Sequence, residues 1–135
     1  MILVIEDELQ VVEYLKQYLT LTGADTTKVM FIQNNDELDS VLSSGKVPEV
    51  TAVFADYHLS RFQEDTTGGV ILEQLRDAGF NGTVYSISAE TNPENLETMF
   101  GEKVVPLPKI SDKPARLIGG KIVEEIKLTE ESKFR

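Results

Sequence analysis

Short aliphatic runs alternate with segments of helical spacing along the whole chain, a pattern that favours a parallel sheet with covering helices. Residues 2–5 are unbroken aliphatic, as a strand buried on both faces requires. From Glu8 to Leu21 the period changes: Leu9, Val12, Leu15 and Leu19 share one helical face, and Gly23 stops the helix. Residues 27–32 read as a second strand, and 36–42 as a short helix with Leu38, Val41 and Leu42 inward. A third strand over 50–55 runs directly into Asp56. Gly68 and Gly69 precede a helix with Ile71, Leu72, Leu75 and Ala78 inward, closed by Gly79. Residues 83–88 form the fourth strand.

Asn92 then caps a short helix with Pro93 at its first position, Leu96, Met99 and Phe100 inward, and Gly101 at its end. Residues 104–107 are the fifth strand. Ser111 is placed to cap a last helix with Ala115, Ile118, Ile122 and Ile126 on one face. Gly119 and Gly120 inside it cost roughly 1 kcal/mol each relative to alanine. The expected fold is α/β, a single domain with a doubly wound five-stranded parallel sheet and five helices, wound by right-handed crossovers. The domain is expected to span 1–128, with 129–135 as a frayed tail.

Composition narrows the function classes. The 135 residues suit one domain, and the lack of cysteine excludes disulfides, thiolate chemistry and cysteine-ligated metals. A formal charge of −10, with no basic stripe, argues against nucleic acid as a partner. No apolar run approaches the ~20 residues that span a bilayer. Residues 1–5 are too short for a signal-peptide core, lack a basic lead and run into Glu6 and Asp7, so a cytoplasmic location without membrane contact is expected.

In an open parallel sheet, ligands bind beyond the carboxyl ends of the strands. Those positions carry Glu6, Asp7 and Glu8 after the first strand and Asp56 after the third. Ser88 closes the fourth, and Lys109 follows the fifth. Singly, each has an ordinary explanation: Asp7 would serve to cap the first helix, Ser88 is a turn residue, and Lys109 is a solvated cation. Together, in order, they place several carboxylates, a hydroxyl and an ammonium on one edge. Carboxylates so close repel one another and hold protons unless a cation compensates them. Mg²⁺, which takes one or two carboxylates plus waters, is the natural compensation. With a phosphate added, Lys109 supplies a second positive charge, Ser88 a hydrogen bond, and Asp56 a nucleophile.

At these residues the chain resembles the response-regulator receiver family, the CheY-like domains of flavodoxin-like fold. The carrying segments are residues 2–8 (ILVIEDE), 52–59 (AVFADYHL), 86–89 (SISA) and 107–109 (LPK). The resemblance implies phosphorylation of Asp56 and direct Mg²⁺ binding by Asp7 and Asp56, with Glu6 binding directly or through water. It further implies a His58 backbone carbonyl ligand, a switch hydroxyl on Ser88 and a phosphoryl partner in Lys109. His58 and Glu90 match the variable positions that tune dephosphorylation.

Three departures stand out. Pro108 precedes Lys109 and Ile110 follows it, where the family has proline after the lysine. Pro106 stands where the family carries an aromatic switch residue, and a proline cannot rotate inward. The loop from Ser60 to Gly68 is longer than usual, with Arg61, Glu64 and Asp65 beside the site; it reads as a tolerated insertion, with a cover over the phosphate or a partner contact as the alternatives.

The implied function is a phosphoacceptor module of a two-component system or phosphorelay, catalysing only its own phosphorylation and dephosphorylation. Its implied partners are a histidine kinase or histidine phosphotransfer protein and a downstream protein effector, with a homodimer left open. Two alternatives stand beside it. One is a degenerate receiver acting as a phosphorylation-independent scaffold, favoured by Pro106. The other is a Mg²⁺-dependent aspartyl-phosphate phosphohydrolase, which would want a second aspartate where His58 stands.

Overall fold

The computed structural model describes residues 1–107 and 114–132. Five parallel strands, β1 (Ile2–Ile5), β2 (Val29–Ile32), β3 (Ala52–Ala55), β4 (Thr83–Ser86) and β5 (Val105–Pro106), form one sheet in the order β2-β1-β3-β4-β5. The helices are α1 (Leu9–Leu21), α2 (Asn35–Ser43), α3 (Gly68–Asp77), α4 (Pro93–Phe100) and α5 (Pro114–Ser132). This is the expected doubly wound architecture, with strand order reversing beside β1 and β3.

Strand alternation divides the core into two layers. Ile2, Val4, Ala52, Phe54, Tyr85 and Ile87 pack with α1 and α5 through Leu15, Leu19, Ile118, Ile122 and Ile126. Leu3, Ile5, Val53, Ala55 and Val84 face α2, α3 and α4 through residues such as Leu38, Ile71, Leu75, Leu96 and Phe100. The inward face of α1 is Val11, Val12, Leu15 and Leu19; Leu9 is 49% exposed, contrary to the reading from spacing.

Local chemistry explains most element ends. Asn34 Oδ1 accepts from the Glu37 amide while Glu37 Oε1 accepts from the Gln33 amide, so α2 begins in a reciprocal cap one residue earlier than expected. Asn92 caps α4, and Gly101 ends it at φ +78°. Residues 26–28 form a single 3₁₀ turn rather than the start of β2, because Asp25 Oδ1 accepts from the Thr27 amide and hydroxyl.

Three differences involve the end of the chain. β5 is only two residues long; the Leu107 amide donates to Ser86 O at 2.8 Å, so the nitrogen of Pro106 faces the open edge of the sheet, where a missing N–H costs no ladder bond. α5 extends through Ser132 where a frayed tail was expected from residue 129. Lys28 Nζ meets Glu130 Oε1 at 3.0 Å and the Thr51 and Thr129 hydroxyls lie 3.4 Å apart, so the final turns have partners. Gly119 sits under the Tyr18 ring, and a Cβ there would stand 2.4 Å from Tyr18 Cδ1. The glycine that weakens the helix pattern lets α1 and α5 approach closely. Lys109 and the Ser111 cap lie outside the described residues.

Candidate functional site

The register brings Ile5, Ala55 and Ser86 level across β1, β3 and β4. Each strand therefore delivers its next residues to the same edge. The Asp56 amide donates to Ile5 O at 3.0 Å, the Ile87 amide to Ala55 O at 3.0 Å, and the Glu6 amide to Ile32 O at 3.2 Å. These backbone bonds carry the ladder one step past the strand ends and set the site residues at fixed offsets.

Glu6, Asp7 and Asp56 are buried, at 0%, 2% and 6% exposure, and one carboxylate oxygen from each lies within 4.8 Å of the others. Oxygens on opposite sides of one Mg²⁺ stand about 4.2 Å apart, so this donor set suits a hard divalent cation. α3 closes the floor: the Gly68 amide donates to Tyr57 O at 2.9 Å, and a Cβ on Gly68 would lie 2.2 Å from Asp56 O. Only glycine allows α3 to begin this close to the Asp56 backbone.

Asp7 does not cap α1. The cap position is Glu8, which makes no side-chain cap bond; its amide donates instead to Glu6 Oε1 at 3.0 Å. Asp7 Oδ2 accepts from the Arg61 amide at 2.7 Å and the Ser60 hydroxyl at 3.2 Å. The long loop therefore reaches back over β1 and holds an acidic site residue. Buried Leu59 and Phe62 anchor it, and the Gln63 amide bonds Asn35 Oδ1 at 2.6 Å at the start of α2. This is built structure rather than slack insertion. Apolar Leu59 and Phe62 inside an otherwise polar stretch were the available sequence signal. His58 is exposed, with its ring edge-on to Tyr57 at 5.1 Å.

Ser88 is 4% exposed, two residues beyond β4. Its Oγ lies 3.1 Å from that of Ser86, itself 1% exposed, and 3.4 Å from Glu90 O. Spacing alone did not single out Ser86, although residues two apart on a strand share a face. The Glu90 carboxylate accepts from the Asn92, Thr91 and Asn95 nitrogens. Its pKa is held below the usual glutamate value, first by the Asn92 amide and then by the Asn95 side chain.

No protein-family profile matches the chain, and no curated protein sequence matches it. Solved structures do. The Francisella response regulator 1452 receiver domain superimposes with a TM-score of 0.65 at 16% identity, covering 98% of this chain and 97% of that one. The receiver domain of NtrX from Brucella abortus gives 0.64 at 21% identity, covering 93% and 97%. Vibrio cholerae chemotaxis protein CheY4 gives 0.60 at 15%, covering 90% and 96%. Against a longer NtrX chain from Brucella abortus, 99% of this chain aligns with 29% of that one. The fold is that of the CheY-like response-regulator receiver domains. Among the described residues, no helix is long and apolar enough to cross a membrane.

Proposed function

We propose that the chain is a phosphoacceptor receiver module, taking a phosphoryl group on Asp56 and signalling through protein contacts. The observation carrying this reading is the buried cluster of Glu6, Asp7 and Asp56 at the carboxyl edge of a receiver-type sheet. Asp7 and Asp56 would hold Mg²⁺, with Glu6 direct or through water and the His58 carbonyl completing the protein ligands. When bound, the cation would neutralise charge on the phosphoryl oxygens.

An Asp56 carboxylate oxygen attacks phosphorus; the bond to the donor's nitrogen or oxygen breaks, and its electron pair leaves with the donor. Ser88 donates to a phosphoryl oxygen, and Lys109 pairs with the new charge. The donor would be a histidine kinase or histidine phosphotransfer protein in the cytoplasm, and the reader a protein effector. Beyond turning over its own phosphoryl group, the chain would catalyse nothing.

The test is incubation with acetyl phosphate and Mg²⁺, followed by mass spectrometry. A single phosphoryl group on Asp56, absent from Asp56→Asn, is expected; equal labelling of both proteins would sink the assignment. The scaffold reading draws support from Pro106, which stands level with Ser86 and supplies no aromatic side chain to follow the hydroxyl. It predicts no uptake by the wild type.

A further inference from the structure

We propose that Ser86 is a positioning residue for the Ser88 hydroxyl, holding the Ser88 proton toward the Glu90 carbonyl until a phosphoryl group on Asp56 competes for it. The proposal rests on the receiver reading above and adds to it a residue inside β4 that the reading does not use.

The argument is a proton count. Each serine hydroxyl carries one proton and can accept from another donor. Glu90 O, 3.4 Å from Ser88 Oγ, is a carbonyl and can only accept, so the Ser88 proton points there. The proton between the two serines, whose oxygens lie 3.1 Å apart, is then that of Ser86. Ser86 thus donates to Ser88 from behind, and the Ser88 proton is aimed away from the strand. Both hydroxyls are buried, and among the described residues no buried side-chain nitrogen or oxygen lacks a partner. Burial in a low dielectric strengthens such a chain, since accepting one bond makes a hydroxyl a better donor in the next.

A phosphoryl oxygen on Asp56 and the Glu90 carbonyl compete for that one proton. The charged acceptor forms the stronger bond, so phosphorylation draws the proton off Glu90 O while the bond from Ser86 persists. Glu90 is not an idle neighbour. Its carboxylate accepts from the Thr91 amide at 3.0 Å and the Asn92 amide at 2.8 Å, and Asn92 caps α4. Releasing the Glu90 carbonyl loosens the segment that sets the first turn of α4. The lever therefore lies between β4 and α4, and Pro106, level with Ser86 on β5, takes no part in it.

Rates of phosphoryl uptake from acetyl phosphate with Mg²⁺ would be measured for wild type, Ser86→Ala, Ser88→Ala and the double variant. Ser86→Ala is expected to slow uptake roughly three- to tenfold, the span that one ordinary hydrogen bond gives. In the Ser88→Ala background it should have no further effect, whereas a merely structural role would cost the same in both. Equal losses in the two backgrounds, or none in either, overturn the proposal. A second measurement uses the unphosphorylated protein. NMR should show Ser86→Ala redistributing the Ser88 rotamers and shifting the Glu90 and Thr91 amides, and unchanged spectra there also overturn it. Absence of uptake by the wild type overturns the receiver reading and this lever together, which separates the two failures.

Discussion

The backbone amide of Arg61 donates to Asp7 Oδ2 across 2.7 Å, tying an acidic residue after β1 to a loop after β3. Together with the Ser60 hydroxyl at 3.2 Å it satisfies one carboxylate oxygen and orients the other. Partners of this kind set the direction of a ligating carboxylate, and their loss typically costs 10- to 100-fold in metal affinity.

Arg61→Pro removes that N–H without touching an acidic residue. Mg²⁺ affinity should fall about tenfold, while Ser60→Ala, which removes the longer bond, should cost about twofold. A magnesium titration followed by NMR or by the fluorescence of Tyr57 would check this. Unchanged affinity in Arg61→Pro would show that the loop does not orient Asp7.

Two adjacent glycines in α5 should respond in opposite directions. A Cβ on Gly119 meets the Tyr18 ring at 2.4 Å, whereas on Gly120 its nearest neighbour is Tyr18 Oη at 3.7 Å. Overpacking costs about 1–3 kcal/mol and the gain in helix propensity is about 1 kcal/mol. Gly119→Ala should therefore destabilise by up to ~2 kcal/mol, and Gly120→Ala should stabilise by up to ~1 kcal/mol. Urea denaturation midpoints would separate the two.

Tyr85 gives the fold a dependence on alkaline pH. Burial first, and then the Glu125 carboxylate that accepts its hydroxyl proton at 2.5 Å, push its pKa well above the ordinary 10.0. Because the folded value is the higher one, the contribution is complete below pH 10.0 and is lost progressively as pH rises above it. Tyr85→Phe should flatten the fall in stability above pH 10, measured by denaturant unfolding across pH. In the wild type, absorbance at alkaline pH should show the Tyr85 phenol titrating only as the protein unfolds.

The general plan was legible in the chain for a physical reason. A doubly buried parallel strand must be a short apolar run, and a covering helix must carry an apolar stripe, so β1, β3, α3 and α4 announce themselves locally. The acidic positions followed from topology. Once the strands are parallel, whatever comes immediately after each of them lies on one edge, and Glu6, Asp7 and Asp56 do meet there. The Asn92–Pro93 start and Gly101 stop of α4 were equally readable, because capping depends on a few neighbouring residues.

What local pattern could not decide is which groups partner one another across sequence distance. Asp7 looked as ready to cap α1 as to face the site, until a loop 54 residues away supplied its donors. Gly119 looked like a flaw in a helix until Tyr18 filled the space above it. The length of α5 depends on Lys28 and Thr51, neither of them near it in sequence. Residue order along the strands was enough to gather Glu6, Asp7 and Asp56 at one edge. The orientation of Asp7 and the pairing of Ser86 with Ser88 come only with tertiary packing, because a hydrogen bond needs a few tenths of an ångström and sequence spacing supplies only a face.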